Sequence, residues 1–218
     1  MKNIIIIITA LFFTIAANAQ SVTFENFLQQ FPKASLPFTL GEQDLRGQLE
    51  SRATNQPVSK AKRLGWEYYD FLPTLEEDAR ESRMPVYPEP IASIETEKYF
   101  AVIYNTGRNF ARQYKTYNIA VFDKQGNFVS SRCIGGVNPT ALAAATIDEN
   151  LQVTIKEYSV NWEKEYSTNG IEGNTILNLT PTSVRTVNAT AAVQTTNEDW
   201  KNQPEVKEAS STLTTQTK

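Results

Sequence analysis

Among its 218 residues the chain has no histidine and a single cysteine, Cys133. Without histidine there is no Ser-His-Asp or Cys-His nucleophilic site and no histidine-containing metal site. One cysteine excludes a thiolate cluster and an intramolecular disulfide, whatever the redox compartment. No Gly-x-Gly-x-x-Gly motif follows a strand-like run, and no phosphate loop is present. A strong charge of either sign is missing as well, the formal net charge being −3. Such mild acidity suits solubility and argues against nucleic acid as a partner.

The first thing present is an export pattern. Lys2 supplies a positive start, Ile4 to Ile8 and Leu11 to Ala17 an apolar core, and Ala17-Asn18-Ala19 a small-x-small cleavage site. Residues 1–19 therefore read as a signal peptide, with Gln20 as the mature N-terminus and a periplasmic or secreted destination. An uncleaved anchor is the alternative, but the stretch is near the lower length limit for spanning. Cleavage would remove Lys2 alone among the charges and leave the mature chain without a membrane-spanning segment.

Residues 20–90 read as a helical and turn-rich segment. Phe24, Phe27, Leu28 and Phe31 recur at helical spacing behind Thr23, a candidate N-cap, and Pro32 stops the run. Thr39 and Glu42 have capping-box spacing ahead of Leu45 and Leu49, with Gly41 and Gly47 weakening that helix. From Pro57 to Leu72 a stripe of Leu64, Tyr68, Phe71 and Leu72 predicts a helix that covers a sheet face. Trp66 and Tyr69 lie off the stripe; packing is the expectation for them, and an exposed contact surface the alternative. Thr74 and Glu77 form a second capping box, and the acidic run that follows is explained by the helix dipole. Tyr87-Pro88-Glu89-Pro90 predicts an extended connector into the next region.

Residues 91–188 read as an antiparallel β domain. Lys98 to Asn105 is short, apolar and aromatic. Tyr117, Ile119 and Val121 alternate with polar or small residues, so three large side chains share one sheet face. Asp123-Lys124-Gln125-Gly126-Asn127 is a turn between two such runs, and Asp148-Glu149-Asn150 is a second. A weaker third pair would turn at Thr180-Pro181-Thr182. The fold class predicted is mainly β, an antiparallel meander arranged as a sandwich or an incomplete propeller-like sheet, with a small N-terminal helical region. Cys133 falls in a strand and reads as a small buried hydrophobe. From Ala189 the composition is polar, and residues 189–218 read as a disordered tail.

Between the strands, Asn161 to Gly173 carries Trp162, Tyr166 and Ile171 among charges, and is the first choice for a functional surface. Trp162 could instead cap one end of the core. Possible partner-binding residues are thus Trp66, Tyr69, Trp162 and Tyr166. Loop carboxylates that could serve a glycoside hydrolase are Asp123, Asp148, Glu149 and Glu172, though the same acids are ordinary turn residues. No catalytic residue, cofactor or metal ligand is assigned, since Asp123 with Asn127 and Asp148 with Asn150 lack the spacing of a calcium loop.

The stretches Val121 to Val129 and Ala145 to Leu151, with Leu36-Pro37-Phe38 and Phe71-Leu72-Pro73, resemble uncharacterised exported proteins of Bacteroidetes, in which strand, Asp-led turn and strand follow a signal peptide. The resemblance implies a cell-envelope setting and a β-rich fold, and carries over no catalytic residue. The function expected is that of a non-catalytic secreted or periplasmic envelope protein binding a protein or a glycan. A carboxylate-based glycoside hydrolase and a purely structural envelope component are the alternatives.

Overall fold

Strands with period-two alternation must bury at least one face, and the turns between them decide which neighbours they bury it with. The computed structural model describes residues 22–54, 62–75, 86–108 and 115–191. In chain order these form α1 (Phe24–Leu28), β1 (Lys33–Ala34), β2 (Phe38–Leu40), α2 (Glu42–Ala53) and a 3-10 helix (Trp66–Phe71). There follow β3 (Val86–Glu95), β4 (Tyr99–Arg108), β5 (Lys115–Asp123), β6 (Phe128–Val137), β7 (Ala141–Ile147), β8 (Gln152–Trp162), α3 (Tyr166–Asn169) and β9 (Ile176–Asn188).

Strands β3 to β9 pair antiparallel, each with the next, so the chain makes an up-and-down meander. β1 adds parallel to β3, and β2 pairs antiparallel with β7. Of the arrangements open to a meander, the protein adopts one curled nine-stranded sheet, a half-barrel. The corner of the curl lies between β6 and β7. These strands pair only at Gly136 with Ala143 and Val137 with Leu142, and β2 takes up the far end of β7. A Cβ on Gly135 would stand 2.6 Å from the Ala143 carbonyl oxygen, so the close approach at this corner requires glycine.

Alternation sorts the core into two clusters. Ala101 and Ile103 of β4, with Tyr117, Ile119 and Val121 of β5, join the first, which also holds Ile147, Val153 and Ile155. Val102 and Tyr104, with Ala120 and Phe122, join the second. Strands β4 and β5 are therefore buried on both faces. Leu45 and Leu49, four apart on α2, plug the first cluster. The second is roofed by Phe27 from α1, by Phe31 just after it, and by Leu64, Leu72 and Leu75. Strand β9 is by contrast mostly exposed, Leu177 and Val184 included.

The two Asp-led turns form as the sequence predicts, and on one hydrogen-bond plan. Asp123 Oδ1 accepts from the amides of Gln125 and Asn127, and Asp148 Oδ1 from those of Asn150 and Gln152. The fourth residue of each turn has positive φ: Gly126 at 85° and Leu151 at 57°. A Cβ on Gly126 would also meet the Phe24 ring at 2.8 Å, which locks α1 over this turn. Thr23 caps α1 as expected, its Oγ1 accepting from Asn26 N at 3.1 Å.

Several expectations need correction. The stripe Leu64, Tyr68, Phe71 and Leu72 does face the sheet, but residues 62–65 are not helical and residues 66–71 form a 3-10 helix; residues 57–61 lie outside the described residues. Packing of apolar residues at spacings of three is met as well by a 3-10 turn as by an α-helix. The expected capping box of α2 does not form, because Thr39 lies in β2, opposite Thr146. The proline-rich connector is extended but belongs to the sheet as the start of β3. Prolines are tolerated there because β3 is near the sheet edge, and the Pro88 carbonyl accepts from Leu64 N instead. Thr180-Pro181-Thr182 is not a turn. It runs within β9, the last strand of the sheet, Pro181 opposite Tyr158, with a register shift that leaves Thr182 unmatched. Cys133 is half-buried rather than fully buried. Ala189, expected at the start of the tail, is fully buried in the first cluster, while residues 192–218 lie outside the described residues.

Candidate functional site

The 3-10 helix follows Gly65 and has Leu64 and Leu72 buried on either side. Phe71 stacks on Phe27 with ring centroids 4.8 Å apart, and the Tyr68 hydroxyl accepts from Gln30 Nε2. These contacts hold the helix to the sheet. In a 3-10 helix residues three apart lie on one side, so Trp66 and Tyr69 share a face. Trp66 is 81% exposed, the most exposed large apolar side chain among the described residues. The expectation that it packs is therefore corrected, and the contact-surface alternative is what the geometry leaves.

Tyr69 is half-buried. Burial pushes its hydroxyl up from the ordinary tyrosine value, and the nearby Tyr87 hydroxyl raises it further, while Arg63 works the other way. Arg63 places its guanidinium over the Tyr87 ring, 4.7 Å from the centroid. Arg63, Tyr69 and Tyr87 thus bring two phenols and a guanidinium together at β3, and Trp66 stands on the same side of the 3-10 helix as Tyr69. Arg63 and Tyr87 were missed in the sequence. The signal available was Tyr87 between Val86 and Pro88, which read as a stiff connector rather than as a strand.

The second aromatic pair is used differently. Trp162 ends β8 and is half-buried against the first cluster. Its Nε1 donates to the Pro139 carbonyl at 2.6 Å, across the β6–β7 connection. Tyr166 stacks on it at 6.4 Å and 27°. The loop beneath is held by Asn174, whose side chain accepts from Lys164 N and donates to the carbonyls of Lys164 and Gly170. Gly173 N donates to the Ala53 carbonyl and ties the loop to α2. Trp162 is in the position of a cap on the core.

Glu172 stands apart from the other loop carboxylates: Asp123, Asp148 and Glu149 belong to turns at one end of the meander, and Glu172 lies between β8 and β9 at the other. Asp123 and Asp148 are engaged by turn amides. Hydrogen bonds from the Asn127 side chain and from backbone amides hold the Asp123 carboxyl below its ordinary range, which suits a turn and not a general acid. Glu149 is exposed at the tip of its turn. Among the described residues no group of three or more Cys, Asp or Glu is placed to hold a metal ion. No helix among them is long and apolar enough to cross a membrane.

Fold and site together define a curled antiparallel β protein with an exposed aromatic and basic patch on a short 3-10 helix. Comparison of the chain with protein-family models, with curated proteins and with solved structures finds no match.

Proposed function

We propose that this is an exported, non-catalytic protein of the cell envelope, periplasmic or secreted, that binds another protein through the surface centred on Trp66. The observation that carries the reading is the exposure of the Trp66 indole on a helix otherwise fastened to the sheet. Tryptophan, tyrosine and arginine are the residue types that dominate binding energy at protein interfaces, and all three meet here. Such a patch on a fixed element loses little entropy on binding. Export is supported by Lys2, the apolar core to Ala17 and the Ala17-Asn18-Ala19 site. A glycan is the second occupant the aromatics suit, through the same residues.

The test compares the wild-type chain with Trp66→Ala in quantitative capture from envelope extract and on a glycan array. A protein captured by the wild type and lost with the variant supports the proposal. Array signals lost with the variant, without a captured protein, would move the reading to a glycan. Identical capture by both chains would overturn it, and no capture by either would leave the structural envelope component ahead.

A further inference from the structure

The sheet face that carries the first cluster changes character along β4. Ile103 is fully buried in that cluster, and the next residue of β4 on the same face is Asn105. A row of directly opposite residues crosses the sheet here: Glu89 of β3, Asn105 of β4, Tyr117 of β5 and Gly135 of β6. Lys115, two residues before Tyr117, joins the same face from β5.

These side chains are tied to one another. Asn105 Nδ2 donates to Glu89 Oε2 at 2.7 Å, and Lys115 Nζ donates to the same oxygen at 2.9 Å. Next in the row, the Tyr117 hydroxyl is bonded to the Gln48 side chain of α2. Asn105 is 1% exposed, whereas the side chains of Glu89 and Lys115 keep 19% and 16% of their surface open. The cluster is therefore reached from solvent at its two charges and ends inside at the amide.

The bonding is incomplete at that inner end. Asn105 Oδ1 is buried and has no hydrogen-bond partner among the described residues. Turning the amide over gives no relief, since Oδ1 would then face the Glu89 carboxylate. Among the described residues Glu89 Oε1 also accepts no hydrogen bond, and Lys115 uses one of its three donors. A buried acceptor left unpaired is costly, and a ligand that donates to it removes the cost. The charges of Glu89 and Lys115 offset each other, so the carboxylate disfavours an anion and the ammonium disfavours a cation. A neutral group that both donates and accepts meets each open position, and the hydroxyls of a sugar do both.

We propose that Glu89, Asn105 and Lys115 form a binding site for a neutral sugar, one hydroxyl of which donates to Asn105 Oδ1. A neighbouring hydroxyl donates to Glu89 Oε1, and a ring or hydroxyl oxygen accepts from Lys115 Nζ. The site stands whether or not Trp66 meets a partner.

The test is a titration of the full-length chain with D-glucose and, separately, with N-acetyl-D-glucosamine, acetate and methylammonium, followed through the asparagine side-chain amide resonances by NMR. The Asn105 signal should move saturably with at least one of the sugars and with neither ion. That of Asn127, in the turn at the other end of β5, should stay in place. Asn105→Leu keeps the bulk and removes Oδ1, and should weaken sugar binding by about tenfold or more. No saturable shift with either sugar would overturn the proposal and leave Asn105 Oδ1 to a buried water. A saturable shift with acetate or methylammonium alone would overturn it, as would unchanged affinity in a folded Asn105→Leu. If Asn105→Leu does not fold, Lys115→Met decides in its place: the same loss is expected, and unchanged affinity would overturn the proposal.

Discussion

Trp66 and Trp162 are the same side chain in two opposite employments. Trp66 opens a 3-10 helix and Trp162 closes strand β8, and each has a tyrosine three or four positions on. Trp162 has its N–H bonded to Pro139 and its ring against the core. Trp66 is fastened only through its neighbours and turns its ring to solvent. A tryptophan near a core edge is thus not evidence of packing or of binding until its N–H is accounted for. The comparison also says where change is tolerated: substitution at Trp162 should be felt in stability, and substitution at Trp66 in binding.

The largest effect is expected from Trp162→Ala, which removes a half-buried ring and orphans the Pro139 carbonyl. It should cost about 2–3 kcal/mol of unfolding free energy, read from urea denaturation. Trp162→Phe keeps most of the ring and loses the donor, and should cost about 1 kcal/mol in the same measurement. If the alanine variant were as stable as the wild type, the capping role would be wrong.

A smaller effect should follow pH. The Asp123 carboxyl is held below its ordinary range in the folded protein. Its contribution to stability is therefore present above the unfolded-state value of about 4 and is lost as pH falls through the lower folded value. Denaturation of Asp123→Asn at descending pH should show a flatter acid decline than the wild type. An equal decline in both would mean that the turn amides do not favour the charged form.

The smallest stability effect is expected at Trp66. Trp66→Ala should change unfolding free energy by no more than about 0.5 kcal/mol, because the ring covers little. A larger loss would mean that Trp66 packs in solution, as a helix covering a sheet face would require.

What could be read from the sequence was whatever rests on local contacts. The strands around Asp123 and Asp148 show because both turns are made by the aspartate and its next four residues. The stripe from Leu64 to Leu72 showed its buried side, yet not its helix type, since spacings of three serve both kinds of helix. Prolines misled twice. Pro88 and Pro181 look like connectors, but in β3 and in the last strand β9 the missing N–H leaves the strand in place. Arg63 beside Tyr87 was illegible for a different reason. That pair is joined only by where the sheet edge brings distant residues, and no local spacing encodes that.

The most direct test of the account is one binding measurement on three chains, wild type, Trp66→Ala and Trp162→Phe, against the partner captured from envelope extract. The account predicts that Trp162→Phe binds as the wild type does, while Trp66→Ala loses more than about 2 kcal/mol of affinity, roughly thirtyfold in Kd, at unchanged stability. Equal binding by Trp66→Ala, or a loss confined to Trp162→Phe, would contradict it.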